Sequence, residues 1–190
     1  MKKNYHIILS SNSPRRKELL AGLDLKFDIH VIPDIDESYP ESLSVIEIAE
    51  YISAKKAEAY KNEINVGDIV ITADTVVILG SDVLGKPKNL DEAKCILHKL
   101  SGKTHHVVTG VCLTSIDKQK RFSVVTDVTF KNLSDSEIDY YVENYRPLDK
   151  AGAYGIQEWI GYVGVTSIHG SYFNVMGLPV QRIYMELQDF

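Results

Sequence analysis

The run Asp68-Ile69-Val70-Ile71-Thr72-Ala73-Asp74-Thr75-Val76-Val77-Ile78-Leu79 constrains the fold of this chain more than any other segment. It is β-branched or aliphatic almost throughout, and both of its alternating faces are apolar. Such a strand needs cover on both sides, which puts it inside a helix-flanked sheet rather than on a half-wet one. Asp74 interrupts the run. An ionised carboxylate there is costly unless a metal, a cation or hydrogen-bond donors compensate it. A structural aspartate bonded to nearby backbone meets that need, and so does a functional acid, because perturbed acids cluster at sites.

The rest of the pattern alternates strands and helices. His6 to Ser10 reads as a buried strand. Asn12-Ser13-Pro14 opens a helix to about Ala21, with a polar cap, proline at the first helical position, and Leu19 and Leu20 inward. Phe27 to Ile32 reads as a strand, followed by an acidic loop from Asp34 to Glu41. Ser44 to Tyr60 has helical periodicity, with Val45, Ile48, Ala49, Ile52 and Ala59 on one face. Asp91 to Leu100 is a helix stopped by Gly102. Val107 to Ser115 and Arg121 to Lys131 form a hairpin around Asp117-Lys118-Gln119. Ser134 to Glu143 opens with a capping box. Two short strands flank His169-Gly170, and a helix follows Pro179. The class is α/β with a mixed sheet. No repeat or linker divides residues 1–190, which read as one domain.

With 190 residues, 44% hydrophobic and 25% charged, the chain can enclose an ordinary globular core. Its net charge of -5 is mildly acidic, and the basic stripe that duplex nucleic acid requires is not visible in the sequence. An anionic substrate must therefore be met by a few placed cations. Cys95 and Cys112 are too few for a disulfide framework and read as buried, reduced thiols. Met1-Lys2-Lys3-Asn4-Tyr5 leads into an apolar stretch too short for a signal peptide, and no run approaches a membrane span. A cytoplasmic location is expected.

Four segments carry groups suited to chemistry. In Ser10-Ser11-Asn12-Ser13-Pro14-Arg15-Arg16, a helix N-terminus, two hydroxyls (Ser11, Ser13) and two guanidiniums (Arg15, Arg16) suit phosphate oxygens. A capped surface helix accounts for the same residues. The second is Asp74. The third comprises Lys56, on the apolar stripe of its helix, and Lys86, in the turn Leu84-Gly85-Lys86-Pro87; snorkelling and solvation are the plain alternatives. The fourth is Asp149-Lys150-Ala151-Gly152-Ala153-Tyr154-Gly155-Ile156-Gln157. Its small residues permit close approach, and Gln157 carries the donor and acceptor needed to read a base edge. His105 and His106, adjacent on a strand, point opposite ways and make a poor metal pair.

Taken in order, these segments resemble the Maf family across nearly the whole chain. Ser11-Asn12-Ser13-Pro14-Arg15-Arg16 resembles its Ser-x-Ser-Pro-Arg-Arg opening, Asp36-Glu37-Ser38 its acidic loop, and Lys56-Ala57-Glu58-Ala59 its Lys-Ala-x-Ala helix. Ala73-Asp74-Thr75-Val76-Val77 and Leu84-Gly85-Lys86-Pro87 resemble its central signature. Leu100-Ser101-Gly102, Thr109-Gly110-Val111, Asp149 to Gln157, and Gly170-Ser171-Tyr172 through Gly177-Leu178-Pro179 follow in register. Ser10 stands where the family usually has alanine, and Arg146 where glutamate is expected.

The resemblance implies an inosine-triphosphate-pyrophosphatase-like fold, with an elongated mixed sheet flanked by helices and two lobes about a central cleft. It implies divalent-metal-dependent hydrolysis of nucleoside triphosphates between the α and β phosphates. The paired arginines, Thr75 and Gln157 look like the dTTP/UTP branch, and Arg15, Thr75 and Gln157 would set base choice. Glu37 and Asp74 would hold magnesium or manganese, with Asp74 also taking the proton of the attacking water. Ser11, Ser13, Arg15, Arg16, Lys56 and Lys86 would clamp the triphosphate. A homodimer is in keeping with the resemblance; neither nucleic acid nor membrane is expected as a partner. The rival readings are a Maf enzyme for CTP or 7-methyl-GTP, and a non-catalytic nucleotide-binding regulator of cell division.

Overall fold

The long apolar run forms one strand over its whole length, and the sheet is assembled on it. The computed structural model describes residues 5–190; residues 1–4, which lead into the first strand, lie outside the described residues. In chain order the elements are β1 (His6–Leu9), α1 (Pro14–Ala21), β2 (Phe27–Ile29), α2 (Ile48–Glu58), β3 (Asp68–Leu79), β4 (Asp82–Leu84) and α3 (Leu90–Leu100). Then come β5 (Thr104–Thr114), β6 (Gln119–Phe130), α4 (Asp135–Tyr145), a 3-10 turn (Ala151–Ala153), α5 (Trp159–Gly164), β7 (Val165–His169), α6 (Tyr172–Met176) and α7 (Val180–Gln188). The sheet has seven strands in the order β2-β1-β3-β5-β6-β7, with β4 paired to β3. β1 runs parallel to β2 and β3, setting Ile7 opposite Phe27 and Ile69. β4 is antiparallel to β3, and β7 to β6. The sheet is mixed, as the alternating pattern requires.

The residues group into two compact units. One comprises the chain up to Asp74 together with Thr109–Val124 and Gly177–Phe190; the other comprises Thr75–Val108 and Val125–Met176. In the first, α2 buries Ile48, Ala49, Ile52 and Ala57, and Tyr60, Ile64 and Val70 form a small cluster with Ile8 and Ile32. The helix comes so close to β5 that a Cβ at Gly110 would lie 2.2 Å from the Ala49 carbonyl carbon. Only glycine fits. In the second unit α3 packs on α4, and Leu97, Leu100, Phe130, Ile138, Tyr141, Val142 and Tyr154 belong to one core. Asn89 caps α3 through Glu92 N–H (2.8 Å), and Ser134 with Glu137 closes the expected capping box on α4.

Several expectations need correction. β2 ends at Ile29 rather than Ile32, because the Tyr60 hydroxyl draws the next residues off the ladder. It accepts Ile32 N–H (3.0 Å) and donates to the His30 carbonyl (2.8 Å). α2 begins at Ile48, since Ser44–Glu47 close a turn of their own through Glu47 N–H to Ser44 O (2.9 Å). Beyond Gly170 there is a helix, not a second strand. The Ser171 hydroxyl accepts Asn174 N–H (3.3 Å), and the helical turn brings Asn174 inward to donate to Val107 O and Thr126 Oγ1. Cys95 is exposed on α3, whereas Cys112 is buried as expected. No helix among the described residues is long and apolar enough to cross a membrane.

His6 ties the first three strands together: Nε2 lies 2.7 Å from Asp28 Oδ2 and Nδ1 2.9 Å from Asp68 Oδ1. Its hydrogen bonds to Asp28, then to Asp68, raise its pKa above 6.5. A raised value in the fold means the contribution is fully present below the unfolded pKa and is lost as pH rises through the folded one. Urea midpoints of the wild type and His6→Gln, measured from pH 5 to 9, are expected to differ most at the acid end and converge at the alkaline end. A gap independent of pH would exclude the charged form as its cause.

Candidate active site

Four elements of the first unit bring charge to one place. The strand β3 projects Asp74, and α2 projects Lys56 from its last turn. The two side chains are nearly enclosed, 14% and 15% exposed, and Lys56 Nζ lies 2.8 Å from Asp74 Oδ1. The same ammonium lies 2.9 Å from Glu37 Oε1, on the acidic loop. Lys56 is thus neither snorkelling nor solvated: two carboxylates from segments distant in the chain converge on it. The bond from Lys56 meets the compensation that Asp74 requires within the strand.

A second lysine holds the acidic loop in place. Lys55 Nζ bonds Asp36 Oδ2 (2.6 Å) and the Ser38 carbonyl (3.0 Å), while Ser38 closes a turn on Asp36. The hydrogen bond from Lys55, with those from Ser38, pushes the Asp36 carboxyl well below the usual range. Lys55 was not singled out in the sequence, yet the signal was there. Adjacent lysines, Lys55 and Lys56, meet adjacent acids, Asp36 and Glu37.

The strand-to-helix turn is built as a cap first. Ser13 accepts Arg16 N–H (3.5 Å), Pro14 occupies the first turn, and the buried Ser11 hydroxyl accepts Ser13 N–H (3.2 Å). A hydroxyl that accepts still owns an O–H to donate, so capping and anion binding are compatible. Arg16 is half-buried and spends two N–H groups on carbonyls: Nε on Gly177 O (2.9 Å) and Nη1 on Ala73 O (2.8 Å). Burial pushes its guanidinium down and Asp74 opposes that; Arg15 lowers it further and Glu37 raises it. Arg16 is therefore an anchor beside Asp74 as well as a charge.

Lys86, Thr75 and Gln157 belong to the second unit. Lys86 is exposed, in the segment after β4, and that segment is tied to the 3-10 turn by Gly152 N–H to Gly85 O (3.2 Å). Gln157 is half-buried, and its Oε1 is enclosed without a hydrogen-bond partner. An orphaned acceptor of that kind is costly in a finished protein and ordinary in a ligand site. His105 Nε2 pairs with the Tyr154 hydroxyl (2.8 Å) while its buried Nδ1 has no hydrogen-bond partner, and His106 Nδ1 pairs with Asp127 (2.6 Å). Burial pushes His105 down to about 4, which suits a core residue.

Of the two departures from the expected motif, Ser10 has a local explanation, and nothing in the structure explains the arginine at Arg146. The Ser10 hydroxyl is buried against the Tyr60 hydroxyl at 2.7 Å. Arg146 terminates α4 in the left-handed region (φ 44°), its N–H bonded to Val142 O.

The fold places the chain among α/β proteins with a mixed sheet flanked by helices. A HAM1 protein from Coxiella burnetii shares the fold, with a TM-score of 0.51 at 17% identity over 98% of this chain and 100% of its own. Within that class the chain belongs to the Maf-like protein family, whose model matches residues 6–190. A protein of Phocaeicola vulgatus named dTTP/UTP pyrophosphatase is 59% identical over 98% of this chain and 96% of its own length. Proteins of the same name from Porphyromonas gingivalis and Flavobacterium psychrophilum are 53% and 46% identical, over 99% and 97% of this chain and 96% and 94% of theirs.

Because Arg16 makes two directed bonds from one planar group, lysine cannot replace it. Arg16→Lys is expected to lose about 2 kcal/mol of stability in urea titration. A loss below about 0.5 kcal/mol would mean that the carbonyl bonds do not anchor the turn.

Proposed function

We propose that this protein hydrolyses dTTP and UTP to the nucleoside monophosphate and pyrophosphate in the cytoplasm. The observation that carries the reading is the identity of 59% over 98% of the chain with a protein named for that activity. The cluster of Glu37, Lys56, Asp74 and Arg16 supports it chemically, because it combines acids suited to a metal with cations suited to phosphate.

Glu37 and Asp74 fit a divalent cation. Their carboxylates flank one cationic position in this structure, occupied by Lys56 Nζ, and their hard oxygens suit magnesium or manganese. Such an ion, when bound, draws charge from the phosphate oxygens as the α–β link breaks. Asp74 then has two tasks, ligand and acceptor of a proton from the water that attacks the α-phosphate, and Lys56 orients it for both. Ser11, Ser13, Arg15, Arg16, Lys56 and Lys86 bind the phosphates. Gln157 bonds the pyrimidine edge through its amide, with Arg15 and Thr75 contributing to base choice. A site built on such bonds rejects bases that leave them unpaired, whereas the thymine methyl is worth only about 1 kcal/mol, so dTTP and UTP are both substrates. The assembly we propose is a homodimer.

The test is pyrophosphate release from a panel of nucleoside triphosphates with magnesium or manganese, and again with a chelator. Metal-dependent release led by dTTP and UTP is expected; release led by CTP or 7-methyl-GTP would overturn the base assignment, and silence would overturn the activity. In the same assay Asp74→Asn is expected to slow turnover about 100-fold or more. Turnover within about threefold of the wild type would remove Asp74 as proton acceptor.

A further inference from the structure

The segment that carries Gln157 is fastened at both ends to one buried polar cluster. Tyr141, fully buried on α4, accepts Gly155 N–H (3.0 Å) and donates its own hydroxyl proton to Glu158 Oε2. The other oxygen of Glu158 meets the buried Lys150 ammonium at 3.1 Å, and that ammonium also bonds Asp149 (2.7 Å). Glu158 N–H closes a turn onto Gly155 O (3.0 Å). Gly155 is packed against the carboxylate so tightly that a Cβ there would lie 2.8 Å from Glu158 Cδ. Burial, with Glu158 as its neighbour, holds the Tyr141 phenol far above its usual range, so it remains a donor. Gln157 therefore sits inside a short turn whose first residue and last side chain share one phenol, and its Oε1 is enclosed with no partner.

We infer that Glu158, acting through Tyr141 and Lys150, is a positioning residue that aims the Gln157 amide at the nucleobase. A buried ion pair is a poor source of net stability, but it fixes geometry well, because each of its members is costly to leave unpaired. Ile156 roots the turn in the apolar core, and the phenol and carboxylate fix Gly155 and Glu158 on either side of Gln157, which sets the direction of its amide. This inference rests on the reading of Gln157 as the residue that bonds the base.

The experiment is steady-state kinetics on dTTP and dGTP for Glu158→Gln, Tyr141→Phe, Gln157→Ala and the double variant Glu158→Gln/Gln157→Ala, with thermal midpoints confirming folded protein. Glu158→Gln and Tyr141→Phe, each nearly isosteric, are expected to raise KM for dTTP about tenfold, leave kcat within about twofold and reduce the dTTP preference. In the Gln157→Ala background, Glu158→Gln is expected to reduce that preference no further, since the two act on one contact. If Gln157→Ala loses the preference while Glu158→Gln and Tyr141→Phe retain it, or lose kcat alone, the positioning role is overturned and the base reading stands. If Gln157→Ala retains the preference, the base reading itself fails, and the inference with it.

Discussion

The first unit is organised around an ammonium group held between two carboxylates. Lys56 stands between Glu37 and Asp74 at hydrogen-bond distance from both. Removing Lys56 would leave Asp74 nearly enclosed without this counter-charge, a condition a protein interior tolerates poorly. This explains why an acid can interrupt a strand as apolar as β3, and why a lysine can lie on the inner stripe of α2. It also explains why the acidic loop, which has little regular structure, is held by Lys55 as well. The same three groups are the ones we propose for metal and phosphate binding.

Around this centre the protein uses backbone carbonyls and amides as fittings. Arg16 reaches the carbonyls of Ala73 and Gly177, and Ser11 and Ser13 take up amides of the turn that α1 begins from. The second unit does likewise with Tyr141 and Glu158 around Gly155. In both places a side chain suited to a ligand, Arg15 or Gln157, directly precedes one engaged in holding the structure, Arg16 or Glu158. Rigid supports of this kind keep functional groups near their working geometry before substrate arrives.

Much of this was legible in the sequence because the signals were local. β3 announced itself by composition, α1 by serine followed by proline, and α4 by its capping box, and all three formed where the pattern placed them. The end of β2 and the helix after Gly170 were decided by polar side chains, Tyr60 and Asn174, whose partners local pattern does not reveal, and the start of α2 by a backbone turn at Ser44–Glu47. Site residues follow the same rule. Asp74 and Lys56 stood out because they broke an apolar pattern. Lys55, Tyr141 and Glu158 did not, since lysine and glutamate on helix surfaces and tyrosine in a core are unremarkable until their partners are known.

The bond from Arg16 to Gly177 joins residues 161 positions apart. The unit that holds the acid–lysine cluster is sewn from the beginning, middle and end of the chain, whereas most of the other unit is synthesised in between. A ribosome making this protein therefore releases the material of the second unit before the first can close. Until the last segment, Gly177–Phe190, has emerged, the Arg16 anchor has only one of its two carbonyls, and the long loop that must be shut bears its full entropic cost. Closure of the first unit is thus deferred by topology until Gly177–Phe190 is made, because that segment supplies Arg16 with its second carbonyl.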